Sequence, residues 1–202
     1  MPGERVVHIV DDDVDVRAVL KRLLDLMGFE AVVHGTAQAF LDAVRDFYQG
    51  CALLDVYMPS MNGLEVQVEL QRRGIRLPVI IMTGRGDVPV AVRAMKAGAV
   101  DFIEKPFDDK TLLDAVDLAL ARGAEPDHKE LADAAERVSS LSSREREVLF
   151  ALVSGKANKL IAFDLGISIR TVELHRSRMM ERLGVRQLAA AVRLAVLARM
   201  SP

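Results

Sequence analysis

The run LLDVYMP, residues 53–59, places a carboxylate at the end of an apolar segment. Residues 51–54 are apolar and predict a buried strand, Asp55 follows directly, and Pro59 stops the strand. In a parallel α/β sheet, ligands bind outside the carboxyl ends of the strands, so Asp55 stands where such a sheet does its chemistry. Taken alone, Asp55 is explained equally well as a turn residue, and the other strand ends decide between the two interpretations.

The first 121 residues alternate apolar runs with segments of helical periodicity. The predicted strands are 5–10, 31–33, 51–54, 78–82 and 100–103, and the predicted helices are 14–27, 37–48, 64–70, 90–97 and 112–120. Five βα units predict an α/β fold, a doubly wound parallel sheet with helices on both faces. The strand order 2-1-3-4-5 would bring strands one, three and four together at the switch point.

Four of the five predicted strands end in polar residues of complementary types. They are Asp11, Asp12, Asp55, Thr83 and Lys105. Carboxylates that meet at one edge repel each other and require a cation, and oxygen ligands with room for water suit Mg²⁺ best. Asp55 can then attack a phosphoryl group as a nucleophile and form an acyl phosphate. Thr83 can donate its hydroxyl to one phosphoryl oxygen, and Lys105 can contact another.

Residues 5–121 resemble a response-regulator receiver domain of the CheY-like type. The resemblance rests on the runs VDDD at 10–13, LDVYMP at 54–59, MTG at 82–84 and KPF at 105–107. The implied ligands of Mg²⁺ are Asp11, Asp12, Asp55 and the backbone carbonyl of Tyr57. The resemblance also implies that a sensor histidine kinase phosphorylates Asp55.

The same resemblance implies a switch beside the acidic residues. Thr83 would move toward the phosphoryl group and Lys105 would bind it, with a cis peptide bond between Lys105 and Pro106. Phe102 takes the place of a switch aromatic that is often Tyr, so it lacks a hydroxyl to donate. Its bulk still allows two rotamers, and plain core packing is the alternative role for Phe102. Asp13 is expected to cap a helix or support the site, not to bind the metal.

Charge separates the two ends of the chain, although the formal net charge is only -2. Residues 1–121 hold 19 Asp or Glu against 13 Lys or Arg, whereas residues 141–202 hold 11 Lys or Arg against 5 Asp or Glu. The basic end is therefore the candidate for nucleic acid. The apolar runs are shorter than the roughly 18 residues of a membrane span, the first residues do not form a signal peptide, and Cys51 stands alone. These features predict a cytoplasmic protein with no membrane association.

We expect three parts: a receiver at 1–121, a partly helical linker at 122–140 and a DNA-binding domain at 141–202. In the DNA-binding domain, the sequence predicts a helix that begins at the capping signal 142–145. Further helices are predicted at 157–165, 170–183 and about 186–199. Two short helices joined by a turn at Gly166 form the helix-turn-helix pattern, which places its second helix in the major groove of double-stranded DNA.

The helix at 170–183 divides into two faces. Val172, Met179 and Leu183 recur at helical spacing and should be buried, and the opposite face carries Arg170, Glu173, Leu174, Ser177 and Arg178. Glu173 can accept from a cytosine amine, and Leu174 can touch a thymine methyl. The candidates for phosphate contacts are Arg170, Thr171, Arg176, Arg178 and Lys159. The alternative is that these charges form only a solvated face.

This part resembles the LuxR/NarL-type helix-turn-helix domains. The matching runs are LSSREREVL at 141–149, NKLIA at 158–162 and SIRTVELH at 168–175. The combination of both parts is similar to the FixJ-type regulators, and so are the runs GDVP at 86–89 and DFIEKPF at 101–107. The resemblance implies a two-component response regulator, not an enzyme, that forms a homodimer through its receiver on phosphorylation. DNA and RNA polymerase are its implied partners in transcription.

Two other classes of protein compete with this interpretation. A metal-dependent phosphohydrolase would also use Asp55 as a covalent nucleophile, but it usually needs a second carboxylate two residues later, where Tyr57 stands. A constitutive DNA-binding protein could carry the receiver only as an interaction module. The complete set of strand-end residues argues against that class, and failure to become phosphorylated would support it.

Overall fold

The structure is a computed structural model that describes residues 5–44, 50–84, 88–122, 128–185 and 188–198. The chain divides into two compact units, one made of residues 1–86 and 97–125 and the other of residues 87–96 and 126–202. In the described ranges, every helix is too short or too polar to cross a membrane.

The first unit contains a five-stranded parallel sheet. Its strands are β1 (Val6–Val10), β2 (Glu30–His34), β3 (Gly50–Asp55), β4 (Val79–Gly84) and β5 (Asp101–Lys105). They are arranged in the order β2-β1-β3-β4-β5, which confirms the predicted order. In the register, Val10 pairs with Leu54 and Asp55 pairs with Met82. The carboxyl ends of the three central strands are therefore level, and the polar residues that end them share one edge.

Helices follow the strands. They are α1 (Val14–Leu26), α2 (Ala37–Ala43), α3 (Gly63–Arg72) and α5 (Asp109–Arg122) in the first unit, and α4 (Val88–Lys96), which is grouped with the second unit. Asp13 caps α1 by accepting from the backbone N–H groups of Asp15 and Val16, as its predicted role as a cap required. The helix predicted at 37–48 ends earlier, at Ala43, and residues 45–49 lie outside the described residues.

The core of the first unit lies on both faces of the sheet. Its strands are nearly continuous apolar runs, because a parallel sheet covered by helices on both sides exposes neither face to water. Cys51 on β3 belongs to this core and is fully buried, and burial raises the pKa of its thiol to about 12. The thiol therefore behaves as a small apolar group, which agrees with the buried strand predicted at 51–54.

Two buried histidines, His8 of β1 and His34 of β2, pair across these neighbouring strands. His8 Nδ1 lies 2.9 Å from His34 Nε2, and the Phe40 ring meets both imidazoles edge-on. Burial, and then the charge of His34, lowers the pKa of His8 to about 4, and burial also lowers the pKa of His34. The pair is therefore uncharged at neutral pH and serves as a polar link between β1 and β2.

The second unit is helical. After α4 it contains α6 (His128–Ser139), α7 (Ser143–Val153), α8 (Asn158–Leu165), α9 (Ile169–Leu183) and α10 (Leu188–Leu197). A capping box of Ser142 and Glu145 opens α7, and Gly166 ends α8 with a φ of 65° that favours glycine. The α8–Gly166–α9 segment is the predicted helix-turn-helix. Within the predicted linker, α6 turns Ala134 and Val138 toward the interior of this unit.

The close approach of α3 to β3 requires a residue without a side chain at position 63. A Cβ atom on Gly63 would overlap the backbone carbonyl of Asp55 and lie 3.4 Å from the Leu54 Cβ. We predict that Gly63→Ala lowers the free energy of unfolding by about 1–3 kcal/mol, the usual cost of overpacking against a rigid backbone. Urea denaturation of the purified chain measures this change.

Gly35→Ala is the matched control for this prediction. A Cβ at Gly35 would meet its neighbours at 3.5 Å, which is ordinary van der Waals contact, and the backbone there is not in the left-handed region. The free energy of unfolding of the control should therefore stay within about 0.5 kcal/mol of the wild-type value. Equal midpoints for the two variants would contradict the proposed overlap with Asp55.

Candidate functional site

Asp55 lies at the carboxyl end of β3 with both carboxylate oxygens engaged. Asp55 Oδ1 accepts from the Lys105 ammonium at 2.5 Å, and Oδ2 accepts from the Tyr57 backbone N–H at 2.7 Å. The side chain is largely buried, because β3 is the central strand and α3 begins directly behind it. The strand end therefore presents a carboxylate in a fixed orientation and mostly shielded from water.

Asp11, at the end of β1, is held in the same way. Its Oδ2 accepts from Lys105 Nζ at 2.7 Å, and its Oδ1 accepts from the Asp13 backbone N–H at 2.9 Å. Its own backbone N–H donates to the His34 carbonyl at 3.3 Å. One ammonium group thus joins two carboxylates that come from neighbouring strands of the sheet.

Asp55, Asp11 and Lys105 form a trio in which burial and neighbouring charges shift the pKa values of Asp55 and Lys105. Burial raises the pKa of Asp55 above its ordinary value, the charge of Asp11 adds to the rise, and the hydrogen bond and charge of Lys105 oppose it. Burial acts to lower the pKa of Lys105, but hydrogen bonds and charges from Asp55 and Asp11 outweigh it, so that pKa is raised. Lys105 therefore stays cationic while the Asp55 carboxylate carries a cost of desolvation.

The remaining residues of the predicted site lie around this trio in different environments. Asp12 and Tyr57 are exposed, whereas Thr83 is fully buried. Thr83 follows Met82, whose carbonyl accepts from the Val56 N–H at 2.9 Å, so it lies on the strand next to Asp55. The Lys105–Pro106 peptide bond is cis, as the resemblance implied.

Phe102 is buried on β5, opposite Ile81 of β4. A buried ring agrees with both roles that the sequence leaves open, an inward switch aromatic and a plain core residue. Its part in switching stays a prediction.

The donor chemistry of this edge suits Mg²⁺. In the described part of the chain, no three His, Cys, Asp or Glu side chains are already gathered as a metal site. Mg²⁺, however, keeps several waters and commonly uses only one or two carboxylates. Asp11 and Asp55 provide such a pair, and the Asp12 carboxylate is next along the chain. The one Lys105 ammonium pairs with Asp11 and Asp55 and leaves an excess of negative charge. The residues present therefore fit the ion if Lys105 gives up one of its two partners.

A second candidate site is the exposed face of α9. Val172, Met179 and Leu183 are buried, as predicted. The exposed residues include Arg170, Glu173, Leu174, Ser177 and Arg178, and Lys159 is exposed on α8. Positive side chains surround Glu173 and Leu174, which is the arrangement expected of a helix that reads base edges while its surroundings contact phosphates.

Two of the predicted phosphate contacts, Thr171 and Arg176, are less free than the helical pattern suggests. The Thr171 hydroxyl lies 2.8 Å from the Ser168 hydroxyl, and its N–H donates to the same oxygen, so Thr171 belongs to the cap of α9. Arg176 is half-buried and donates to Asn158 Oδ1 of α8 at 2.9 Å. The structure thus holds the Arg176 guanidinium on the seam between the two helices.

The sequence did not point to three residues that support these sites. Arg17 of α1 donates to the Asp11 carbonyl, and Asn158 accepts from Arg176. Glu145 is buried in α7, where it accepts from the Ser142 N–H and forms an ion pair with Arg182 Nε of α9 at 3.2 Å. Only Glu145 left a sequence signal, its place in the capping box, because long side chains that cross between elements follow no periodicity.

Two protein families match the chain. The family of response regulator receiver domains matches residues 7–117. The luxR family of bacterial regulatory proteins matches residues 139–195. Together the two matches account for most of both compact units.

Relatives match over the whole length. The chain is 48% identical to the transcriptional regulatory protein FixJ of Azorhizobium caulinodans, covering 100% of this chain and 97% of that one. It is 45% identical to FixJ of Rhizobium meliloti, with 97% of each covered. The crystal structure of full-length FixJ from B. japonicum is similar at 43% identity with a TM-score of 0.57, covering 99% of this chain and 100% of that one.

The raised pKa of Asp55 generates a prediction for stability. A carboxyl group whose folded pKa is raised binds its proton more tightly in the folded state, so its contribution is most favourable below its ordinary value of 3.8 and declines as pH rises through the folded pKa. Asp55→Asn removes this titration. The free energy of unfolding of the variant, minus that of the wild type, should therefore increase from acid to neutral pH in metal-free buffer.

Urea denaturation at several pH values measures this difference. Asp114→Asn is the control, because Asp114 is exposed on α5 and forms its ion pair with Lys110, far along the chain from the acidic edge. A difference between Asp55→Asn and the wild type that stays constant with pH would contradict the raised pKa.

Proposed function

This chain belongs to the FixJ-type response regulators, two-component transcription factors that join a receiver domain to a LuxR-type DNA-binding domain, and from that premise we propose that Asp55 is its phosphoacceptor. Members of the family are DNA-binding regulators and not enzymes. The observation that carries the proposal is the single ammonium of Lys105 between Asp55 and Asp11 at the carboxyl ends of their strands.

In the proposed reaction, a sensor histidine kinase presents a phosphoryl group to Asp55 at the carboxyl end of β3. An Asp55 oxygen attacks phosphorus, the bond from phosphorus to the donor breaks, and the donor leaves with the electron pair. Burial keeps water from the attacking carboxylate, and the Tyr57 N–H fixes its second oxygen. The chemistry that Mg²⁺ supplies when bound is charge neutralisation between the carboxylates and the phosphoryl oxygens. Asp11, Asp12, Asp55 and the Tyr57 carbonyl would hold it.

Lys105 and Thr83 act after the transfer in this proposal. The Asp55 oxygen that accepts from Lys105 is the one that bonds to phosphorus in the acyl phosphate, so the ammonium becomes available to a phosphoryl oxygen. Thr83 lies on the next strand and offers a hydroxyl to another oxygen. The Phe102 side chain on β5 would move together with them. This movement would couple the phosphoryl charge to the surface of the first unit by shifting the populations of two conformations.

The consequence proposed for the phosphorylated protein is a homodimer that pairs through the first unit. Two DNA-binding units then bind double-stranded DNA at two half-sites, which raises affinity because the second contact becomes intramolecular. Contact with RNA polymerase at the promoter and a cytoplasmic location belong to the same proposal. The resemblance to the FixJ-type regulators supports this part.

We predict that Mg²⁺ and acetyl phosphate add one phosphoryl group to the chain. Asp55→Asn should abolish the addition because it removes the nucleophilic oxygen. Intact-mass spectrometry measures the addition, and sedimentation of the same samples should show dimers only where the mass has increased.

Asp114→Asn serves as the control, since it removes an exposed carboxylate of α5 and leaves the trio intact. It should accept a phosphoryl group at the wild-type rate. Equal labelling of Asp55→Asn and the wild type would overturn the assignment, and no labelling of the wild type by acetyl phosphate or by a kinase would favour a constitutive DNA-binding protein.

On α9 and α8, we predict that Glu173 and Leu174 set sequence choice while Lys159 and Arg176 set affinity. A base-edge contact is worth about 1–3 kcal/mol against the wrong base, so Glu173→Ala should relax one position of the operator. Losing a phosphate contact weakens binding to all DNA sequences alike. Lys159→Ala should therefore reduce the slope of log affinity against log salt concentration by about one unit. Binding titrations across salt and across single-base variants of a selected site measure both effects.

Glu181→Ala is the control for Glu173→Ala, because Glu181 is an exposed carboxylate near the other end of α9. It should leave every base preference unchanged. The division of roles is wrong if Glu173→Ala keeps all base preferences while Lys159→Ala changes one.

A further inference from the structure

Arg17 of α1 turns back toward the acidic edge of the sheet. Its Nη1 donates to the Asp11 backbone carbonyl at 2.7 Å, and the side chain is half-buried. A Cβ on Gly35 would lie 3.5 Å from Cζ, Nη1 and Nη2 alike, which places the guanidinium plane face-on over Gly35. The guanidinium is therefore held by a hydrogen bond at one edge and by packing across its face.

This contact closes a ring of bonds around the β1–α1 turn. The Asp13 N–H donates to the Asp11 carboxylate, and the Asp13 carbonyl accepts from the Arg17 backbone N–H at 3.1 Å. The Arg17 side chain then returns to the carbonyl of Asp11. Asp12 lies between Asp11 and Asp13, and the hydrogen bonds of this ring hold both of these neighbours. Arg17 therefore helps to fix the backbone conformation of Asp12.

We propose that Arg17 is a positioning residue for the phosphoryl-transfer site. It holds the Asp11 carbonyl and thereby fixes the backbone from which the Asp11 and Asp12 carboxylates extend. The proposal rests on the proposed function, because it concerns the same acidic residues. The residue does not touch the reacting atoms, and it acts through the backbone of Asp11.

The two effects of Arg17 on a divalent cation have opposite signs, which makes the proposal testable. A positive charge near the acidic edge repels Mg²⁺, so removing the charge should strengthen binding if electrostatics dominate. Removing the hydrogen bond loosens the turn, so the same change should weaken binding if positioning dominates. The sign of the change in affinity therefore separates the two roles.

The test is calorimetric titration of the full chain with Mg²⁺, without any phosphodonor. Arg17→Ala should weaken binding about fivefold or more, the change that corresponds to a net hydrogen bond of roughly 1 kcal/mol. Arg17→Lys should recover part of the affinity, because an ammonium on a flexible stem can still donate to the Asp11 carbonyl. Arg22→Ala is the matched control, since it removes the same charge from an exposed position of α1.

A second pair of variants moves the guanidinium without removing its charge. Gly35→Val adds methyl groups where the guanidinium lies and should weaken Mg²⁺ binding as Arg17→Ala does. Gly35→Ala adds only a Cβ at contact distance and should bind as the wild type does. These variants keep the test valid if Arg17→Ala fails to fold.

Each outcome decides one question. Weaker binding by Arg17→Ala and Gly35→Val, with normal binding by both controls, supports the positioning role. Unchanged or tighter binding by these two variants overturns it, while wild-type Mg²⁺ binding and phosphorylation leave the proposed function intact. A wild-type chain that neither binds Mg²⁺ nor accepts a phosphoryl group overturns both.

Discussion

The ammonium of Lys105 between Asp11 and Asp55 is the interaction on which this edge of the sheet depends. It offsets part of the repulsion between two buried carboxylates, and it connects β5 to β1 and β3. A buried charge that loses its partner typically costs about 3–5 kcal/mol, so the Lys105 ammonium contributes substantially to the stability of this edge.

Most of the fold follows from the sequence because each strand is an apolar run closed by a polar residue. The strand order and the helix-turn-helix were predicted correctly, but the ends of several elements were not. β4 continues through Thr83 and Gly84, where its backbone pairs with Glu104 and Lys105 of β5. Hydrogen bonding between strands determines where a strand ends, whereas hydrophobicity reports only the part that is buried.

For the sites, the sequence predicts residue types at strand ends better than side-chain contacts. Asp11, Asp55 and Lys105 come together because the sheet register brings them there. For Arg176, the helical pattern predicts a phosphate contact but gives no sign of the hydrogen bond that its guanidinium donates to Asn158. A long side chain can reach several partners from one Cα position, and only the packing of the neighbouring helix selects among them.

The burial of Cys51 makes this protein convenient for spectroscopy. Its thiol is the one sulfhydryl of the sequence, lies inside β3 and has a pKa of about 12, so it carries almost no reactive thiolate at neutral pH. A cysteine introduced at an exposed position would then take up a maleimide dye or a spin label alone, on the wild-type background. Two such positions, one in each compact unit, would report the distance between the units in solution before and after phosphorylation.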